Sequence, residues 1–155
     1  MMDFTIEQFM KGDHHRRSDR SSYWYLASPY SIHKDGLDAA FKDAANAAAL
    51  ILESGLNVFS PIVHSHSLVT AGLMIDPRNH SYWMKIDEPF MVAACGMIVL
   101  IHDGWQDSRG IKEEMAYFTE AKKPIAFMTP NELPILPKMG AVSLASKDRP
   151  VYNRL

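Results

Sequence analysis

Four short apolar runs, separated by stretches of helical period, constrain this chain more than any other feature. Ser22 to Ala27, Asn57 to Ser60, Met97 to Ile101 and Pro124 to Met128 have the length of strands, with Ser, Pro, Gly or Lys turn residues at their edges. Between the first two, residues 35–54 place Leu37, Phe41, Ala44, Ala48 and Ile51 on one face, and Gly55 stands where a C-terminal cap is expected. Pro61 stops the second run, and His64 to Ser67 reads as a loop. Residues 82–94 are helical in pattern but interrupted at Pro89, where Asp87 is placed to cap a helix opening at Glu88 and Pro89. Residues 111–121 form a third helical stretch. Strand and helix thus alternate, which predicts a parallel sheet with helices on both faces and ligands at the carboxyl ends of the strands.

The 155 residues suffice for one core. Residues 1–21 read as a flexible arm whose His14-His15-Arg16-Arg17 is a solvated stretch, and residues 22–155 as a single domain. The apolar run Met139 to Leu144 is an edge strand or a docking arm, which brings the expected sheet to about five strands. A formal net charge of -2 gives no basic surplus for a nucleic acid polymer. The lone cysteine, Cys95, reads as a buried small hydrophobe and excludes a disulfide framework or thiolate metal site within one chain. With neither a signal-type apolar region nor a membrane-spanning run, a soluble, cytoplasmic protein is expected.

The segment Gly104 to Ala116 follows the third run, so it reads as a loop opening a helix. There Ile111, Glu114, Met115 and Phe118 share one face, while Glu113 points elsewhere. A carboxylate on a core-facing stripe is costly to bury unless paired or used, which singles out Glu114 for chemistry. No dinucleotide fingerprint and no P-loop occurs.

Tyr25-Leu26-Ala27-Ser28-Pro29-Tyr30, Phe59-Ser60-Pro61, Trp83 with Asp87, and Gly104 to Glu114 together resemble the nucleoside 2-deoxyribosyltransferase-like superfamily, over roughly Tyr23 to Met128. That superfamily includes deoxyribosyltransferases and 2'-deoxynucleoside 5'-phosphate N-hydrolases. Its motif is a Ser or Asp, a Gly two residues on, a catalytic Glu four after the Gly, then an apolar residue, a small residue and later a Lys. Ser108, Gly110, Glu114, Met115, Ala116 and Lys123 stand in those places. The resemblance implies a flavodoxin- or Rossmann-like three-layer α/β fold, with Glu114 as the nucleophile that forms a glycosyl ester and Asp87 as the acid that helps the base leave. It further implies that Tyr25 contacts the nucleophile or the sugar. Ser108 in place of Asp implies a 5'-phosphate rather than a free 5'-hydroxyl, which agrees with electrostatics, since a carboxylate would repel the dianion.

Ser28, Pro29, Ser60, His64, Gly110 and Trp105 complete the expected substrate-binding set, with Trp83 and Trp105 open to either base stacking or core packing. His64 and His66 lack an evident third metal ligand, so no metal and no organic cofactor is expected. The expected partners are a small-molecule nucleoside or nucleotide and, by resemblance, a second copy of the chain. The alternatives are base exchange on free nucleosides, another N-glycosidic substrate such as NAD, and a module that senses a nucleotide without turnover.

Overall fold

The computed structural model describes residues 22–136. Within them run β1 (Trp24–Ala27), α1 (Leu37–Glu53), β2 (Val58–Phe59), α2 (Pro61–Thr70), α3 (His80–Ala93), β3 (Gly96–Leu100), a 3-10 turn (Trp105–Asp107), α4 (Arg109–Glu120) and β4 (Ile125–Met128). The sheet has the order β2-β1-β3-β4, with every pairing parallel. Among the described residues it holds four strands rather than about five, and the candidate fifth run, Met139 to Leu144, lies outside them, as does the N-terminal arm.

Period-two alternation sorts the strands between two cores. Trp24, Leu26, Ile98 and Leu100 pack with Ala47 and Ile51 of α1 on one face. Tyr25, Ala27, Met97 and Val99 pack on the other with Met91 of α3 and with Ile111 and Phe118 of α4. Helices on both faces make this the three-layer α/β fold expected. Gly96 is needed where β3 begins, because a Cβ there would lie 2.6 Å from the Trp24 ring and 2.8 Å from Pro124.

Three local expectations are corrected. The buried face of α1 is Ala40, Ala44, Ala47 and Ile51, offset from the predicted one, because the smallest side chains let the helix approach the sheet. His64 to Ser67 is not a loop but part of α2. Ser60 and Pro61 start that helix, with the Ser60 hydroxyl accepting the Val63 amide at 3.3 Å and proline in the first turn. α3 runs unbroken through Pro89, so Asp87 is not a cap; Asn79 is, accepting the Tyr82 amide at 3.2 Å. Pro89 and Lys85, the residue whose carbonyl loses its amide partner, are both exposed, which leaves that carbonyl water as a substitute. At the far end of α3, Lys123 donates to the carbonyls of Met91 and Val92, at 2.9 and 2.6 Å. The lysine of the motif therefore closes a helix end.

β1 leads through α1 to β2 on one side, and β3 leads through α4 to β4 on the other. The strand order reverses between β1 and β3, and a crevice at the carboxyl ends of such a pair is the usual ligand site of this architecture.

Candidate active site

α4 buries Ile111, Glu114 and Phe118. Two adjacent glutamates consequently meet opposite surroundings. Glu113 accepts hydrogen bonds from Arg109 at 2.8 Å and pairs with His80 at 2.6 Å, and these two partners hold its carboxyl below the usual range. Glu114 is 7% exposed, and burial pushes its pKa up to about 8. The Tyr25 hydroxyl donates to Glu114 Oε1 at 2.6 Å and opposes that rise. Tyr25 itself is fully buried, its ring 6.1 Å from Phe59 and 5.6 Å from Phe118, and burial together with the neighbouring carboxylates keeps its hydroxyl protonated.

Asp87 reaches the same crevice from α3. Burial raises its pKa to about 7, and its Oδ1 has no hydrogen-bond partner among the described residues. No cation pairs with either buried carboxylate among those residues. Buried polar atoms without a partner are rare in folded proteins and commonly mark where a ligand binds. Ser28 Oγ is a second such atom on the same wall.

Around Glu114 and Asp87 the crevice is lined by Ser28, Tyr30 and Ser31 after β1, by Pro61, Ile62 and Ser65 of α2, and by Ser108, Gly110 and Ile111 at the start of α4. Pro77, Arg78, His80, Trp83 and Met84 supply the remaining side. Ser108 is both cap and wall: its hydroxyl accepts the Ile111 amide at 3.4 Å and still carries a proton to donate. A Cβ on Gly110 would meet His80 and Ser108 only at 3.8–4.0 Å, so the fold does not require glycine there.

The crevice thus brings together Glu114, Asp87, Ser108, Gly110 and Ser28 of the expected set, with Tyr25 directly behind Glu114. It does not bring in the others. Pro29 is buried in the turn beside the wall. Ser60 gives its hydroxyl to the α2 cap. His64 lies behind the site, against the rings of Phe59 and Phe90. Trp105 packs 5.7 Å from Phe127 and borders a different cleft with Lys34, His102 and Asp103. Trp83 does line the crevice, anchored by its indole N–H on the Asp76 carbonyl at 3.1 Å.

Sequence reasoning missed Arg78, His80 and the α2 wall. Asp76-Pro77-Arg78-Asn79 reads only as a turn, and nothing in its spacing indicates that it folds over a crevice. Arg78 differs from Arg109, which is tied to Glu113: the guanidinium of Arg78 has no ion pair or hydrogen bond among the described residues, yet it acts electrostatically on Tyr30. Tyr30 in turn bonds His66 Nδ1 at 2.9 Å, and His66 approaches Asp38 at 3.2 Å, so that histidine backs the wall.

The fold is thus an α/β one with two buried carboxylates at its topological switch point, the place where ligands commonly bind in this architecture. The chain belongs to the family described as a domain of unknown function, DUF1937, whose model matches residues 22–130. Among solved structures it is similar to the 2-deoxyribosyltransferase of the psychrotolerant bacterium Bacillus psychrosaccharolyticus, at 21% identity and a TM-score of 0.48, over 72% of this chain and 76% of that one. No curated protein sequence gives a significant match. No helix among the described residues is long and apolar enough to cross a membrane.

Proposed function

We propose that the chain is an N-glycosidase that cleaves the base-sugar bond of a (deoxy)nucleoside 5'-monophosphate. The observation that carries the reading is the pair of buried carboxylates, Glu114 and Asp87, on one crevice with no cation against either among the described residues. In this reaction one must be charged and the other protonated, and a site where both pKa values are raised toward neutrality supplies that state near pH 7.

Glu114 attacks the anomeric carbon as the bond to the base nitrogen breaks. The electron pair of that bond stays on the nitrogen, which takes the proton of Asp87. Water then attacks the glycosyl ester, giving a proton to the Asp87 carboxylate and releasing Glu114. Burial raises both carboxyls, so a further contact must set which of the two is ionised. The Tyr25 hydroxyl favours the productive arrangement by donating to the ionised glutamate, and the positive charge that develops at the sugar favours it further. Tyr25 is thus a positioning residue.

Arg78, Ser108 and the first-turn amides of α4 support the 5'-phosphate. A guanidinium with no carboxylate partner among the described residues, at the edge of an acidic crevice, suits an anionic group, and a helix N-terminus adds its dipole. By resemblance the working form is a homo-oligomer.

Chromatographic assay of free base across a panel of nucleosides and their 5'-monophosphates tests the substrate class. Monophosphates should be the better substrates, and Arg78→Gln should weaken them by about tenfold or more, the scale of one charge-assisted hydrogen bond, while leaving nucleosides little changed. Equal turnover of both classes would remove the phosphate from the reading. Adding a second free base distinguishes hydrolysis, which forms no exchanged nucleoside, from transfer, which does.

A further inference from the structure

Outside the crevice, three donor atoms from distant parts of the chain converge. His33 stands in the turn after β1, Asp43 in the middle of α1 and His102 just beyond β3. His33 Nε2 lies 2.9 Å and His102 Nε2 3.1 Å from one and the same carboxylate oxygen, Asp43 Oδ2. One ligand atom from each of the three residues falls within 4.8 Å of the others. We propose that His33, Asp43 and His102 form a binding site for a divalent transition-metal ion of the Zn2+ class, separate from the glycosidase crevice.

The donor set carries the choice of ion. Two imidazoles and one carboxylate suit zinc and its late first-row neighbours and disfavour Mg2+ or Ca2+, which take oxygen ligands. Bonds of about 2.0–2.2 Å to each donor require atoms gathered about one point, and both histidines face a single oxygen instead of dividing between the two. The ligands are also held in place. The His33 side chain is 2% exposed, its ring 4.6 Å from that of His102. The His33 amide is bonded to the Tyr30 carbonyl, and the His102 carbonyl accepts the Trp105 amide. Asp43 precedes Ala44, a buried residue of α1. The Asp43 and His102 side chains keep 32% and 19% of their surface, and His102 borders the open cleft beside Trp105, so a fourth position is open to water or a small anion.

Loading moves a proton. His33 Nδ1 accepts the Asp35 amide at 3.2 Å, so in the metal-free form the ring proton sits on Nε2 and points at Asp43. An ion on Nε2 shifts that proton to Nδ1, and the Asp35 amide must then turn to solvent, which the exposed Asp35-Gly36 turn permits. Because Ser28, Tyr30 and Ser31 of the same loop line the crevice, the ion would fasten one wall of the site to the end of β3.

The test uses the full chain without an affinity tag, with His14→Ala and His15→Ala to remove other donors, and titrates it with Zn2+ and with Co2+. One equivalent should bind per chain, with the visible absorption of nitrogen- and oxygen-ligated Co2+, a raised melting temperature, and a shift of the Asp35 amide resonance. His102→Ala should weaken binding at least a hundredfold. Asp43→Asn should weaken it similarly, and if that variant does not fold, His102→Gln, which retains a polar side chain, decides in its place. No bound equivalent in the parent chain, or binding that survives the His102 variants, would overturn the site and leave the cluster a hydrogen-bonded clasp. Neither result bears on base release, which is measured at Glu114.

Discussion

Replacing Glu114 with Gln should make the protein more stable at alkaline pH, and this can be measured without any substrate. Glu114 titrates at 4.5 when unfolded and at about 8 in the folded crevice, because burial disfavours its charge. A folded pKa above the unfolded one means that the native state binds the proton more tightly. The associated stability is complete below pH 4.5, is lost progressively as the pH rises to about 8, and is constant beyond. A rise of about 3.5 pH units at about 1.36 kcal/mol each sets a ceiling of roughly 5 kcal/mol. Gln has nearly the same shape, accepts the Tyr25 hydroxyl and does not titrate, so the variant escapes that loss. Urea unfolding at pH 5.5 and pH 8.5, followed by circular dichroism, should show the variant gaining about 2–3 kcal/mol on the parent between the two, the part of that ceiling that falls in this pH window. In melting temperature this is roughly 4–12 °C. Asp87, raised to about 7, leaves a slope common to both proteins. Stability curves that run parallel from pH 5.5 to 8.5 would refute the argument, since they would mean that Glu114 ionises in the folded protein without penalty.

Two further outcomes are expected. Tyr25→Phe removes a hydrogen bond to a carboxylate, worth about 1.5–3 kcal/mol. The ascending limb of the pH–rate profile, which follows ionisation of Glu114, should therefore move about 1–2 units toward alkali; an unmoved limb with a lower plateau would show that Tyr25 acts only through packing. Gly110→Ala should fold normally and gain up to about 1 kcal/mol from helix propensity, because its Cβ meets nothing closer than 3.8 Å. The same methyl group projects toward His80 and Ser108 at the crevice edge, so KM for the monophosphate should rise, and an unchanged KM would place the ligand elsewhere.

Much of this architecture is legible in the sequence because it rests on periodicity. Alternation along Trp24 to Ala27 and Met97 to Leu100 divides two cores, and the spacing of Ile111, Glu114 and Phe118 puts one glutamate inside and its neighbour outside. Where a residue's neighbours belong to other elements, the sequence is mute. The Tyr25–Glu114 bond joins residues 89 apart, and Arg78 reaches the crevice because a turn between α2 and α3 folds over it. The His33, Asp43 and His102 cluster has no spacing signature, since the turn after β1, the middle of α1 and the segment just beyond β3 each supply one member. Ser60 and Trp105 stand in strand-end motifs, yet one side chain is taken up by a helix cap and the other packs toward β4. Pro89 reads as a break because proline removes an amide, but the lost bond falls on the solvent side of α3.

If Glu114 is the nucleophile, base release depends on its carboxylate. The most direct measurement is the rate of base release from the best monophosphate of the panel, for the parent chain and for Glu114→Gln, with circular dichroism confirming that both are folded. Release should fall by at least about a thousandfold, the scale expected when a covalent nucleophile is lost. Release by the variant at the parental rate would contradict that role.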